Sequence, residues 1–517
     1  MALVLSVAQI RSVDVAVTAR LGLPSLVLME NAGRGVADVI ERERPVRGLD
    51  VRVVCGAGQN GGDGFVIARH LFARGAKVCV LLALPKEKIT GDAAVNASVV
   101  RKLGVVVNDL SSEENEASWR HELCGADVIV DALFGTGLRS DVTGVPALAI
   151  AAMNATSALR VAVDIPSGLD ADTADVRGCA VNADITVTMG CRKLGLVLDA
   201  LAPVGKVEVV DLGVRPEAVL SAAEEQGPLA YWLDSATVAP TMPTRSPTRH
   251  KGTAGHLLAI AGSPGKTGAA LLVARAGLRA GAGLVTIATT VAAQTVLDTK
   301  VVSEMTSSYG ETPDDSSFAV LLEQAKRMKA VIVGPGIPTT AAMGALVRRL
   351  VVELPVPLVV DADALNLLGT DAPQVVSQAK AARVLTPHPG EMARLCGCSI
   401  AEVAKDRLGL ARKLAAQTSA VIVLKGARTL VAEPDGTAFV NPAADAALGT
   451  AGSGDVLTGM IGALLAQGLQ PTQAACAGVF VHGMAATAAA STLGSANIIA
   501  ADLPDAVARA CEALRAV

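Results

Sequence analysis

Val51-Arg-Val-Val-Cys55-Gly-Ala-Gly-Gln-Asn-Gly-Gly-Asp-Gly64 is a β-branched run that breaks into a glycine-rich turn, after which Ile67 and Leu71 share a helical face up to Gly75. A strand, a turn able to receive an anion and a helix, in that order, open a parallel α/β sheet. Backbone N–H groups in such a turn can hold a phosphate or pyrophosphate. The spacing is not the strict GxGxxG, and Val80-Leu-Leu-Ala-Leu-Pro85 stands where that fingerprint asks for an acidic residue ending a second strand. The stretch therefore predicts a nucleotide ligand held in another geometry than an ordinary NAD-cofactor site.

Outward from it, strands at 128–131 and 161–164 alternate with helical patterns and end in Asp131-Ala-Leu-Phe-Gly135-Thr-Gly-Leu-Arg-Ser-Asp141 and Asp164-Ile-Pro-Ser-Gly-Leu-Asp170. Successive strand ends carrying glycines and carboxylates predict a doubly wound parallel sheet with its ligand at the carboxyl edge. Asn60, Asp131 and Ser167 offer hard oxygen atoms suited to a cation, while Asp164 and Lys193 are candidates for proton transfer. Each carboxylate taken singly reads equally well as a loop or cap residue.

A chain of 517 residues needs more than one core, and two domains are the economical count. The alternation breaks near 224–250, where Pro240, Pro243 and Pro247 are interleaved with Arg245, Arg249, His250 and Lys251. That composition predicts a linker over 224–250, with domains at 1–223 and 251–517. Net charge is -4 and aromatics are 2%, which gives neither a basic footprint nor stacking platforms for nucleic acid. Nine scattered cysteines without paired CxxC spacing predict free thiols rather than zinc or disulfides. The N-terminus lacks a basic lead before its apolar residues, so the expected location is cytoplasmic. Residues 456–501 carry no Asp, Glu, Lys or Arg. Their Ala, Gly and Thr content, with Gln467, Gln470, Pro471 and His482, predicts buried helices rather than membrane spans.

The second half supplies 251–269, then Gly334-Pro-Gly336, Asp361-Ala-Asp363, Thr386-Pro-His-Pro-Gly-Glu391, Leu424-Lys-Gly426 and Ala451-Gly-Ser-Gly-Asp455 running into a helix. Strands at 257–261, 331–333, 358–361, 384–386 and 421–424 make this half α/β as well. Gly262-Ser-Pro-Gly-Lys-Thr267 lacks the spacing of a P-loop. At Gly452 to Asp455, glycines admit an anion to the N–H groups of a helix start, and the carboxylate is placed to orient a hydroxyl. An N-cap with an acidic first turn is the plainer reading of the same residues. A helix N-terminus favours the charged carboxylate, so sequence predicts Asp455 as a weak base.

Residues 1 to about 220 resemble the epimerase domain of bifunctional NAD(P)H-hydrate repair enzymes, through Met29-Glu-Asn-Ala-Gly33, Asn60-Gly-Gly-Asp-Gly64, Asp131 to Gly135, Val163 to Gly168 and Thr188-Met-Gly-Cys-Arg-Lys-Leu-Gly195. The remainder, from about 226, resembles the ADP/ATP-dependent dehydratase domain of the same enzymes through the motifs quoted above. The resemblance implies a Rossmann-like doubly wound domain followed by a ribokinase-like α/β domain. It implies potassium at Asn60, Asp131 and Ser167. Hydrated nicotinamide nucleotide would lie against Gln59, Asn60, Gly61, Gly62 and Asp63, against Gly135, Thr136, Gly137, Leu138, Arg139, Ser140 and Asp141, and against Asp164, itself a candidate catalytic group. In the second domain it implies hydrate contacts at Ala269, Gly336, His388 and catalytic Asp455. ADP or ATP, with magnesium, would meet Lys425, Gly426, Ala427, Arg428, Thr429 and Gly454. Gln59 departs from the family's usual Asn, and Asn441-Pro-Ala-Ala-Asp-Ala-Ala-Leu-Gly449 is looser than its usual pattern. NADHX and NADPHX are the implied substrates; assembly into a homo-oligomer is permitted but not required. Two other readings stay open: a vitamin or sugar kinase, which would use the same anion loop and aspartate, and a first half that only binds nucleotides.

Overall fold

The central strands of the first body are rich in Val, Ile and Leu and largely buried, the composition that parallel strands covered by helices require. The computed structural model describes residues 2–215, 219–244 and 254–516, which divide into bodies at Leu3–Leu229 and Ala230–Val517. In the first, β1 (Asp50–Cys55), β2 (Lys77–Leu82), β3 (Val106–Asp109), β4 (Val128–Ala132), β5 (Leu159–Val163), β6 (Ile185–Met189) and β7 (Lys206–Val210) form one sheet in the order β3-β2-β1-β4-β5-β6-β7. Every pairing is parallel. Chain order reverses between β1 and β4, and a crevice opens at such a reversal, outside the carboxyl ends of the strands. Register sets Val54 opposite Asp131, and the Gly56 N–H donates to the Ala132 carbonyl at 3.0 Å. The glycine turn and the Asp131 loop therefore leave the sheet side by side.

The second body has β8 (Ala230–Trp232), β9 (His256–Ile260), β10 (Leu284–Thr289), β11 (Met305–Ser308), β12 (Ala330–Val333), β13 (Leu358–Val360), β14 (Arg383–Leu385), β15 (Val421–Leu424), β16 (Leu430–Ala432) and β17 (Ala438–Val440), ordered β11-β10-β9-β12-β13-β14-β15-β16-β17-β8. Strands are parallel from β11 to β15, and β16 is antiparallel to both neighbours. Here the reversal lies between β9 and β12. Their exit loops are tied by Gly262 N–H to the Pro335 carbonyl at 2.8 Å and by Ser263 Oγ to the Gly336 carbonyl at 2.7 Å.

The stretch without charges becomes helices Ser453–Ala466 and Pro471–Leu493, buried on almost every side. A Cβ on Gly459 would stand 2.2 Å from the Val273 carbonyl oxygen, so glycine is what lets the first of these lie directly on helix Thr267–Arg279. Among the described residues Pro471–Leu493 is the one helix long and apolar enough to cross a membrane, and it lies largely buried in this body.

The expected linker is corrected over its described part. Ala230–Trp232 pairs in parallel with Ala438–Val440, and Leu233, Val238 and Met242 join the second core. These apolar residues outweigh the prolines around them, and the division falls at 229/230. Residues 245–250, the rest of the expected linker, lie outside the described residues.

Candidate active sites

Gln59-Asn60-Gly61-Gly62-Asp63, expected as a loop, is the first turn of helix Gln59–Ala73, entered from Gly58. Packing requires one of its glycines: a Cβ on Gly61 would stand 2.0 Å from the Gly56 carbonyl oxygen. The helix start is thereby drawn onto the end of β1, with Asn60 facing the loop after β4. A Cβ on Gly135 would be 3.3 Å from Asn60 Oδ1.

Behind this contact Asp131 is fully buried. It accepts the Ser167 hydroxyl at 2.6 Å, the Ser167 N–H at 2.8 Å and the Leu133 N–H at 3.2 Å. Burial pushes its carboxyl up to about 6 despite these hydrogen bonds. Asn60 Nδ2 is buried without a partner. The buried Asp131 carboxylate and the Ser167 hydroxyl, with the Asn60 amide oxygen against the same loop, supply oxygen donors of the kind a hard cation takes. In the loop beyond, Gly137, Arg139, Ser140 and Asp141 are exposed and Thr136 is half-buried. Leu138 turns inward to pack on the core.

Asp164 follows β5 with φ +70°, a left-handed conformation that Asp tolerates better than most residues. The buried Lys193 ammonium donates to its Oδ1, to Thr188 Oγ1 at 2.8 Å and to the Met189 carbonyl at 3.1 Å. Two more carboxyls share the field of this pair. Desolvation first, and then the Asp164 charge, hold Asp63 well above the ordinary carboxylate range. Asp14, on helix Val7–Arg20, is raised to about 6 by loss of solvent, with Lys193 opposing. Asp14 and Thr188 were not among the residues singled out from sequence. Only a lone acid in an N-terminal helix marked the first, and Thr188 stood unremarked within a motif.

In the second body Lys425, at the end of β15, is held between carboxylates. Its Nζ donates to Asp361 Oδ1 at 2.7 Å and lies 3.8 Å from Glu391 Oε2. Burial depresses this ammonium, but the Asp361 and Glu391 charges outweigh burial and raise it overall. Asp361, fully buried, also accepts the Thr458 hydroxyl at 2.6 Å, which fixes the strand-exit lysine to the helix that carries Asp455. Gly454 stands against the lysine, since a Cβ there would be 3.2 Å from Nζ.

Loop 425–429 is pinned from below: Arg407 donates to the Ala427 and Arg428 carbonyls at 2.9 and 3.0 Å, and Thr429 Oγ1 to the Gly426 carbonyl at 2.9 Å. The Arg428 guanidinium lies 4.8 Å from the Trp232 ring centre. Lys425, Gly426, Ala427, Thr429 and Gly454 line one cavity with Leu448, Leu457 and His482. Ala269 and Gly336 meet at the other loop pair, where a Cβ on Gly336 would be 3.2 Å from that of Ala269. His388 caps helix Pro389–Cys396, accepting the Gly390 N–H at Nδ1 at 3.0 Å, while Glu391 accepts the His388 N–H at 2.8 Å. Its imidazole is therefore part of the helix start as well as a candidate contact.

Asp455 corrects the sequence expectation. Burial first, then the Asp361 charge, raise it to about 7 against the pull of Lys425. The helix N-terminus does not prevail against burial and the charges of Asp361, Asp363 and Glu391, which Lys425 only partly offsets. Asp361, read from sequence as a plausible strand end, and Glu391, quoted only within its motif, are the groups that tune it.

A glycine-rich cavity around Lys425, beside a carboxyl that burial raises to about 7, has the make-up of an enzyme's site. Comparison with known proteins carries that class further. The family described as NAD(P)H-hydrate dehydratase matches residues 257–509, and that described as YjeF-related protein N-terminus matches residues 25–195. The bifunctional NAD(P)H-hydrate repair enzyme of Moorella thermoacetica is 43% identical over 93% of this chain and 92% of its own length. Its Escherichia coli counterpart is 36% identical over 93% of this chain and 89% of its own. A crystallised ADP/ATP-dependent NAD(P)H-hydrate dehydratase from Bacillus subtilis shares 30% identity over 55% of this chain and 98% of that one, with a TM-score of 0.49. The chain belongs to the family of bifunctional NAD(P)H-hydrate repair enzymes.

Proposed function

We propose that the crevice of the first body interconverts the epimers of hydrated NADH and NADPH, and that the Lys425–Asp455 site of the second returns one epimer to the reduced cofactor. The activities are those of the family: an epimerase and an ADP- or ATP-dependent dehydratase. In the second site, the ring hydroxyl left by hydration attacks the terminal phosphoryl group of the nucleotide. Asp455 takes the hydroxyl proton, Lys425 and the Gly454 N–H meet the phosphates, and the nucleotide departs one phosphate shorter; the ring C–O bond then breaks to release inorganic phosphate, and the adjacent ring carbon gives up a proton to solvent as the double bond reforms. Ala269, Gly336 and His388 hold the nicotinamide side. Phosphoryl transfer depends on positioning and charge stabilisation, which suits a base whose pKa of about 7 leaves it half ionised at neutrality.

The observation that carries this reading is Asp455, at a helix start beside a buried lysine and raised to about 7. Among the described residues no group of three or more His, Cys, Asp or Glu could hold a metal ion. Magnesium would therefore enter on the nucleotide's phosphates, where it neutralises their charge.

In the first site Asp164 transfers the proton and Lys193 holds it in place. Gln59 to Asp63 and Gly135 to Asp141 flank the hydrate, and Arg139 meets its phosphate. Potassium held by Asn60, Asp131 and Ser167 would supply fixed positive charge beside Asp131. Near-ultraviolet absorbance of the reduced ring tests both halves on a mixed-epimer substrate. Nucleotide-dependent recovery of the whole mixture is expected. Recovery that stalls at one epimer removes the epimerase, and release of a stable phosphorylated product favours a kinase.

A further inference from the structure

His482 lies on helix Pro471–Leu493, is 6% exposed, and lines the cavity of Lys425, Thr429 and Gly454. Its Nε2 has no hydrogen-bond partner. Burial drives the imidazole down to about 4, with a backbone hydrogen bond at Ser453 acting the other way and the Lys425 charge adding to the fall. The ring is thus neutral at physiological pH. A neutral imidazole has one N–H and one bare nitrogen that only accepts, and we assign the unpartnered Nε2 as the bare one. A buried acceptor with nothing to accept is a costly arrangement, and the cavity that His482 lines is the space from which a donor would come. Leu448 and Leu457 give the same cavity the apolar walls that a flat base requires.

We propose that His482 Nε2 accepts a hydrogen bond from the adenine nucleoside of the co-substrate and so sets which nucleotide the dehydratase uses. The donor is either the exocyclic amine of the base or a ribose hydroxyl. This inference rests on reading the cavity as the nucleotide site. A neutral acceptor selects a donor without drawing the phosphates away from Lys425, so the residue governs binding and selectivity rather than the chemical step.

The test is steady-state kinetics and equilibrium nucleotide binding on the full chain. Wild type, His482→Phe, His482→Gln and Lys425→Ala are each compared with ADP, with the diphosphate of purine riboside, which lacks the amine, and with 2′- and 3′-deoxy-ADP. Wild type is expected to prefer ADP over one of these analogues by about tenfold, the ordinary worth of one neutral hydrogen bond. The analogue that is disfavoured identifies the donor. His482→Phe fills the space without an acceptor, so KM for ADP should rise by about tenfold with kcat nearly unchanged, and the preference should vanish. His482→Gln, which restores an acceptor, should recover part of both. A residue that only packs would leave the ratio between nucleotides unchanged. Equal use of all the nucleotides by wild type, or a preference that survives in folded His482→Phe, overturns the proposal. If Lys425→Ala loses ADP binding while His482→Phe keeps it, only His482 is misread. If Lys425→Ala binds ADP normally, the cavity is not the nucleotide site and both readings fall.

Discussion

Lowering the pH should switch off the dehydratase through one carboxyl. Asp455 has a pKa of about 7, and only its ionised form can take the proton of the attacking hydroxyl. Roughly one-tenth of it is ionised at pH 6 and one-hundredth at pH 5, so kcat/KM should fall about tenfold per pH unit below neutrality. The causes of the shift make the expectation specific. Burial leads, followed by the Asp361 charge, while Asp363 adds a smaller contribution of the same sign. Asp363 is bonded to Lys266 at 3.0 Å, away from Lys425. Asp363→Asn should therefore move the acidic limb to lower pH and leave the maximum rate nearly unchanged. Asp455→Asn should remove the limb and reduce kcat by about 10²–10⁴-fold, the usual contribution of a positioned base. The assay is nucleotide-dependent recovery of reduced cofactor from the reactive epimer alone, with buffers matched in ionic strength. A flat profile from pH 5 to 8, or undiminished turnover by Asp455→Asn, would refute the assignment.

Asp164→Asn tolerates the φ of +70° and should keep the fold. It should slow epimerisation by about 10²–10⁴-fold, so that a mixed substrate stalls at one epimer while the reactive epimer is consumed at the normal rate. Replacing potassium by choline should depress the epimerase and spare the dehydratase, and Asp131→Asn should do the same in full potassium; equal loss of both activities would count against the cation site. Arg383 is buried and donates to the Val351, Val356, Ala381, Ala382 and Leu354 carbonyls. Arg383→Met should lower stability by about 3–5 kcal/mol. Thermal unfolding would show the loss as a lower Tm, and an unchanged Tm would contradict it.

Both α/β sheets were legible because strand and helix periods survive in local sequence, and glycines sit where β1, β4 and β9 exit. The meeting of Asp131 with Ser167 was legible too, because each ends or follows a strand on one sheet edge. Gln59 to Asp63 was misjudged as loop, because glycines that normally break helices are needed here for close approach to Gly56. Residues 230–242 were misjudged as linker, because a three-residue strand is too short to show a period and its partner lies about 200 residues away. The ionisation of Asp455 was the largest miss. Sequence shows the helix start, which lowers a carboxyl, but not the burial of Asp455 and the approach of Asp361, which raise it.

The two bodies arrive at one electrostatic device. Each holds a buried lysine against an aspartate at a strand exit, Lys193 with Asp164 and Lys425 with Asp361. Each then sets further carboxyls, Asp14 and Asp63 or Glu391 and Asp455, in a field where one cation cannot neutralise them all. Burial alone would make such carboxyls permanently neutral, and a lysine for each would make them permanently charged. In the second body, one lysine set among several acids leaves Asp455 raised to about 7, which suits proton transfer at neutral pH. The roles differ in what the lysine faces. Lys193 is enclosed by backbone carbonyls and acts on its neighbours, whereas Lys425 also lines a glycine-rich cavity. That difference in access matches the isomerase's task proposed for the first body and the phosphoryl-dependent one proposed for the second.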